Sequence, residues 1–303
     1  MSDSIDKLLT HPQVAKGGPA SESAISEILE RFGGVLPTPL LKLWRAGEGV
    51  HLDTLHAHIP GPTEVIEILD CGMWNILFKR GCIPLLYDHE SNFLALFAHP
   101  PLAFRIAYVP HDDGSRLIYR NLTSFADALL GLLDSGGSAD DFYKAAGDYP
   151  PATSRPIEDQ QAAIALMKTD GENEEWNYAA QLLDASNLEQ WETLIETDHF
   201  VRRDVIRRLR QMKEPGVQAL LARQKQEFQT FALAVADAAR RAGFVVGERQ
   251  DGSLQIGRAN YILEGFFYRR KVANAIPRLL LWFEDQAEGK NPHHRPGNFM
   301  ADP

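Results

Sequence analysis

Ile83-Pro84-Leu85-Leu86-Tyr87-Asp88-His89-Glu90-Ser91-Asn92-Phe93-Leu94-Ala95-Leu96-Phe97 is the stretch whose reading decides the fold. Two short apolar runs of strand length are separated by the polar group Asp88 to Asn92, which predicts a hairpin. Toward the C-terminus, Arg105 to Val109 and Arg116 to Tyr119 flank His111-Asp112-Asp113-Gly114, a second turn that extends the hairpin into an antiparallel sheet. The segment closes on a helix, Ser124 to Leu133, with Phe125, Leu129, Leu132 and Leu133 facing inward. Toward the N-terminus, Ser21 opens a helix whose apolar positions Ile25, Ile28, Leu29 and Phe32 fall at helical spacing, and Gly33-Gly34 stops it. Pro37 and Pro39 admit a second short helix, Leu40 to Trp44, ended by Gly47 and Gly49. The first half therefore predicts an α+β fold, an N-terminal antiparallel sheet flanked by helices.

The pattern beyond residue 150 is helical, over Ile157 to Lys168, Glu174 to Asp184, Leu188 to Glu196, Phe200 to Lys213 and Val217 to Arg241, with breaks at Gly171, Asn187 and Pro215. A small hairpin, Phe244 to Val246 and Leu254 to Ile256 about Gln250-Asp251-Gly252, interrupts the helices, and a last helix spans Ile276 to Gln286. Gly136, Gly137, Pro150, Pro151 and Pro156 punctuate the region between the halves. The expected organisation is a flexible lead over 1–19, an α+β domain over 20–137, a linker over 138–155 and a mostly helical domain over 156–303.

Composition narrows the function classes. The chain has 303 residues, 44% hydrophobic and 24% charged, which excludes disorder for the bulk. No run of about eighteen apolar residues marks a membrane helix, and Met1 to Gln13 lacks the basic-then-apolar order of a signal peptide. Two cysteines, Cys71 and Cys82, make no disulfide framework and no zinc knuckle, so the expected compartment is a reducing cytoplasm. Residues 1–150 carry 19 Asp and Glu against 11 Lys and Arg, whereas residues 151–303 carry 22 against 20. An acidic first half repels nucleic-acid backbones and draws in basic proteins, besides serving solubility.

Candidate chemistry is sparse. His51, Asp53, His56 and His58 fall within eight residues, a chemically competent metal set, but without a diagnostic ligand spacing they read better as solvated loop residues. His293-His294, bracketed by Pro292 and Pro296, reads as a structural loop. Arg202, Arg203, Arg207, Arg208 and Arg210 lie opposite the apolar Val201, Val205, Ile206 and Leu209, which predicts a solvated face paired with acids such as Asp204 and Glu214. No phosphate-cradling glycine loop, serine elbow or paired CxxC is present. Trp44, Trp74, Trp176, Trp191 and Trp282 are expected to anchor cores. The expected cofactor set is none, and the expected metal set is none.

The order of parts in the first half resembles the SUKH superfamily, the Smi-one and Knr-four group. The residues that carry the likeness are Ile25 to Phe32, Gly33-Gly34-Val35-Leu36-Pro37, Leu40 to Trp44, Ala46-Gly47-Glu48-Gly49, Ile83 to Asp88, Asn92 to Leu96, Ala107-Tyr108-Val109 and Asn121 to Leu130, covering about residues 20 to 135. The resemblance implies a non-catalytic α+β domain that, in bacteria, binds and neutralises a polymorphic toxin, often a nuclease delivered between competing cells by systems such as type VI secretion. The second half resembles no family.

These readings converge on a cytoplasmic immunity protein and not an enzyme, with a basic cognate toxin as partner and no nucleic acid or membrane contact. The contact residues expected from charge are Glu48, Asp53, Glu64, Glu67, Asp88, Glu90, Asp112 and Asp113, with Trp74, Tyr87 or Tyr108 as aromatic anchors. Two alternatives stand beside it: a non-enzymatic regulatory or scaffold protein binding an endogenous partner through its helical half, and a metal-dependent hydrolase using the histidines near residue 51 or at 293–294.

Overall fold

The computed structural model describes residues 3–52, 55–71, 81–88, 92–110, 115–138, 147–168, 173–196, 199–241, 245–248, 254–258 and 261–264. The chain is α+β, with an antiparallel sheet in the N-terminal half and a mostly helical C-terminal region. It divides into two compact units, residues 1–183 and 184–303.

The first unit is built on a seven-stranded sheet whose spatial order equals its chain order: β1 (Ala15–Lys16), β2 (Val50–Leu52), β3 (Ala57–Ile59), β4 (Cys82–Asp88), β5 (Phe93–Phe97), β6 (Ile106–Val109) and β7 (Arg116–Tyr119). Every pairing is antiparallel. The deciding stretch is the β4–β5 hairpin at the centre, and every residue of β5 is buried, so both of its faces are covered. That is why its side chains do not alternate with polar ones.

Among the described residues before 140, five helices belong to this sheet: α1 (Ser4–Leu9), α2 (Glu22–Arg31), α3 (Thr38–Ala46), α4 (Pro62–Asp70) and α5 (Leu122–Ser135). Their starts carry recognisable signals. The Ser21 hydroxyl accepts from Ala24 N–H, Asn121 Oδ1 accepts from Thr123 and Ser124 N–H, and prolines occupy the first turns of α3 and α4. Trp44 is 1% exposed and its indole N–H donates to Pro60 O at 3.2 Å.

Two parts of the expected organisation differ. Residues 1–19, expected as a flexible lead, contain α1, whose Ile5 and Leu8 are fully buried where it packs on α3 and α5, and β1, which pairs with β2. Gly17, beside β1, serves a close approach: a Cβ there would lie 2.2 Å from the carbonyl oxygen of Glu48. The helices α6 (Ile157–Met167) and α7 (Asn173–Leu182), assigned from sequence to the second domain, belong to the first unit. Asp159, in the first turn of α6, has a side chain 1% exposed, accepts from Arg105 Nη2 at 2.9 Å and stands 2.6 Å from Arg120 Nη1. These arginines bracket the β6–β7 pair, so the charges bind α6 to the sheet across the proline-rich segment.

The second unit holds α8 (Leu188–Ile195), α9 (His199–Leu209), α10 (Pro215–Arg241) and a small antiparallel sheet of β8 (Val245–Glu248), β9 (Leu254–Arg258) and β10 (Tyr261–Glu264). Its helices lie where the apolar period placed them, and the expected hairpin gains a third strand. Trp191 is fully buried and donates to Asp184 O at 2.7 Å, while Val201, Val205, Leu209 and Val217 complete the core. The helix expected over Ile276 to Gln286 and the His293-His294 pair lie outside the described residues.

Candidate functional site: an aromatic row edged by carboxylates

The sequence from His51 to Asp70 has no long period, and its described residues explain why. Strands β2 and β3 are three residues each, too short to alternate visibly, and helix α4 follows at once behind Pro62. Their burial still alternates: Val50, Leu52, Ala57 and Ile59 point into the core, which turns His51 and His58 to the other face. His51 and His58 therefore sit on strands, not on the loop expected from sequence.

Register then assembles a row. His51 pairs with His58, His58 with Tyr87, and Tyr87 with Phe93 across four adjacent strands. The rings touch in sequence: the two imidazoles stack at 5.5 Å, His58 meets Tyr87 edge-on at 3.9 Å, and Tyr87 meets Phe93 at 5.6 Å. Burial grades along the row, from exposed His51 through half-buried His58 and Tyr87 to Phe93 in the core. The core end anchors the ring plane; the other end is open to solvent.

Helix α4 supplies the carboxylates. Glu64 and Glu67 are three residues apart, hence on one helical face. Glu64 Oε1 lies 2.8 Å from His58 Nε2 and also accepts the Tyr87 hydroxyl. Half-burial pulls the Glu64 carboxyl upward, but the bonds from His58 and Tyr87, with the charges of His58 and His51, outweigh it and hold the group below its ordinary value. Tyr87 is pushed the opposite way, first by burial and then by its bond to Glu64, with Glu67 adding to the effect. Glu64 is thus an anion that also fixes the ring positions, whereas Glu67 is exposed.

The remaining expected contact residues separate. Glu48 is structural: its Oε1 accepts from Thr63 N–H at 2.7 Å and its Oε2 from Ser21 N–H at 3.1 Å, tying the start of α4 to the cap of α2. Asp88 ends β4, its backbone paired with Ala57. Tyr108, on β6, lies under the Arg116 guanidinium at 5.0 Å. Asp53, Trp74, Glu90, Asp112 and Asp113 lie outside the described residues. Sequence reasoning missed His51 and His58 as members of this site; the one signal was the two-residue spacing of Val50/Leu52 and Ala57/Ile59 around them, a single alternation each and too brief to mark a strand.

Chemically, the row offers ring faces and edges beside fixed negative charge, an arrangement suited to guanidinium or ammonium groups. Among the described residues no group of three or more His, Cys, Asp or Glu side chains is arranged to hold a metal ion. Nor, among them, is any helix long and apolar enough to cross a membrane. On the arginine-rich helix α9, Arg207 Nη2 donates to Asp204 Oδ1 at 3.0 Å and Arg203 Nε lies 3.6 Å from it.

No protein-family model matches this chain, and no curated protein matches it.

Proposed function

We propose that this chain is a SUKH-type immunity protein that acts in the bacterial cytoplasm by binding a basic toxin, a nuclease effector delivered between competing cells, and that it performs no catalysis of its own. The observation that carries the reading is the His51–His58–Tyr87 row with Glu64 and Glu67 along it. The order of elements over residues 20–135 and the acidic balance of the first half support it. A basic substrate groove would be steered toward such a face, and a half-buried tyrosine with a carboxylate already in place holds an incoming arginine with little ordering cost.

The test is titration calorimetry for affinity and stopped-flow mixing for association rate, with the purified chain and the purified toxin encoded beside its gene, and survival of toxin-expressing cells as the further readout. A complex is expected, with affinity falling as salt rises. Glu67→Lys, on an exposed position, should slow association and flatten the salt dependence. Absence of both complex and protection refutes the reading, and an unchanged association rate in Glu67→Lys removes this face as the contact.

A further inference from the structure

The outer side of β7 is closed group by group. Leu117 N–H donates to Gln181 Oε1 at 2.6 Å and Gln181 Nε2 donates back to Leu117 O at 3.1 Å, so one side-chain amide makes both bonds that a neighbouring strand would make. Asp148 N–H donates to Ile118 O at 2.7 Å, and Arg120 N–H donates to Asp148 Oδ2 at 2.8 Å. Residue 147 has to be glycine, because its φ is +56° and a Cβ would lie 2.1 Å from Ile118 O; the backbone here runs against the strand itself. The charges of Arg105 and Arg120 on Asp159, and the Tyr178 ring edge-on to Phe97 at 5.4 Å, fasten α6 and α7 beside it.

An edge strand that shows its N–H and C=O groups is a template for another strand. The β7 sequence, Arg-Leu-Ile-Tyr, is suited to pairing with itself: antiparallel about Leu117, whose N–H and C=O both face outward, Leu117 would face its own copy and Arg116 would face Ile118, with no like charges opposed. Leu117 and Ile118 side chains are already buried, so a second copy would meet main chain alone. We propose that Gln181 and the segment at Gly147-Asp148 are an edge guard, and that what they exclude is β7 of a second copy of this chain.

The experiment compares Gln181→Ala with the parent chain by light scattering across a concentration series and by amide hydrogen exchange at Leu117. In dilute solution the Leu117 amide of the variant should exchange about five- to tenfold faster, the effect of one lost hydrogen bond. As concentration rises, the mass should double relative to the parent and Leu117 protection should return. A variant that keeps the parent's mass at every concentration overturns the proposal. So does one that associates while Leu117 remains unprotected, since its interface would lie elsewhere. Should Gln181→Ala fail to fold, Gln181→Met is the second variant: it keeps a side chain of similar length but offers Leu117 neither acceptor nor donor, and the same two outcomes decide.

Discussion

Replacing Asp159 by alanine should cost the first unit about 3 kcal/mol, the lower end of what breaking a buried ion pair usually costs. The carboxylate is 1% exposed and holds two guanidinium groups that differ in their access to water, Arg105 being 13% and Arg120 31% exposed. Arg120 can rehydrate and contributes little. Arg105 cannot, although its second bond, to Pro101 O at 3.1 Å, remains. The loss is therefore dominated by one charge-assisted bond, about 1.5–3 kcal/mol, and by the charge left without its counterion. For a unit of this size that is a fall in Tm of roughly 6–12 °C. Scanning calorimetry of the full chain measures it. Adding Arg105→Met to Asp159→Ala should restore part of the loss, because it removes the orphaned charge and keeps an apolar stem of similar length. A shift under about 2 °C, or a double variant no more stable than the single one, would refute the reasoning and return α6 to the role of a loosely attached segment.

Glu64 provides a pH-dependent contribution of known sign. Its folded carboxyl is held below the unfolded value, so its stabilisation is complete above the ordinary glutamate range and fades as pH falls through the folded value. The stability gap between the parent and Glu64→Gln, followed by urea unfolding from pH 7 to pH 3, should shrink toward the acid end; a gap that widens there contradicts the assignment. Leu8→Ala should cost about 2–5 kcal/mol, as expected of a fully buried leucine and not of a flexible lead, and urea midpoints check it. Gly61→Ala places a Cβ 2.6 Å from Gly49 N, against backbone that cannot yield cheaply, and should lower the thermal midpoint by more than an exposed substitution such as Thr63→Ala. Equal midpoints for the two variants would show that this crossing relaxes.

Much of the secondary structure was legible because it is written in local period and punctuation. The β4–β5 hairpin follows from two apolar runs around a polar turn, and the start of α2 from Ser21, whose side chain sits where helix N–H groups lack partners, whereas the cap at Asn121, ahead of the expected start at Ser124 of the closing helix, was not read. The helices of the second unit follow from apolar residues at 3.6-residue spacing, to within a few residues at each end. Acidity in the first half, and Glu64, Glu67 and Tyr87 as candidates within it, were likewise visible in order and charge alone.

What tertiary structure decided is which of these residues meet and which are already engaged. Glu48 and Glu67 are the same residue type on one stretch of chain, yet Glu48 spends both oxygens on backbone N–H groups and Glu67 keeps its own in solvent. His51 and His58 became one row with Tyr87 only through strand register, which three-residue strands carry too little alternation to announce. The membership of α6 and α7 in the first unit rests on Arg105, Arg120 and Gln181, bonded to partners 54, 39 and 64 positions away along the chain. Periodicity records how a residue relates to its neighbours within a turn or two. Charge pairing, edge closure and register are settled by distances between remote segments, and these exist only once the chain has closed on itself.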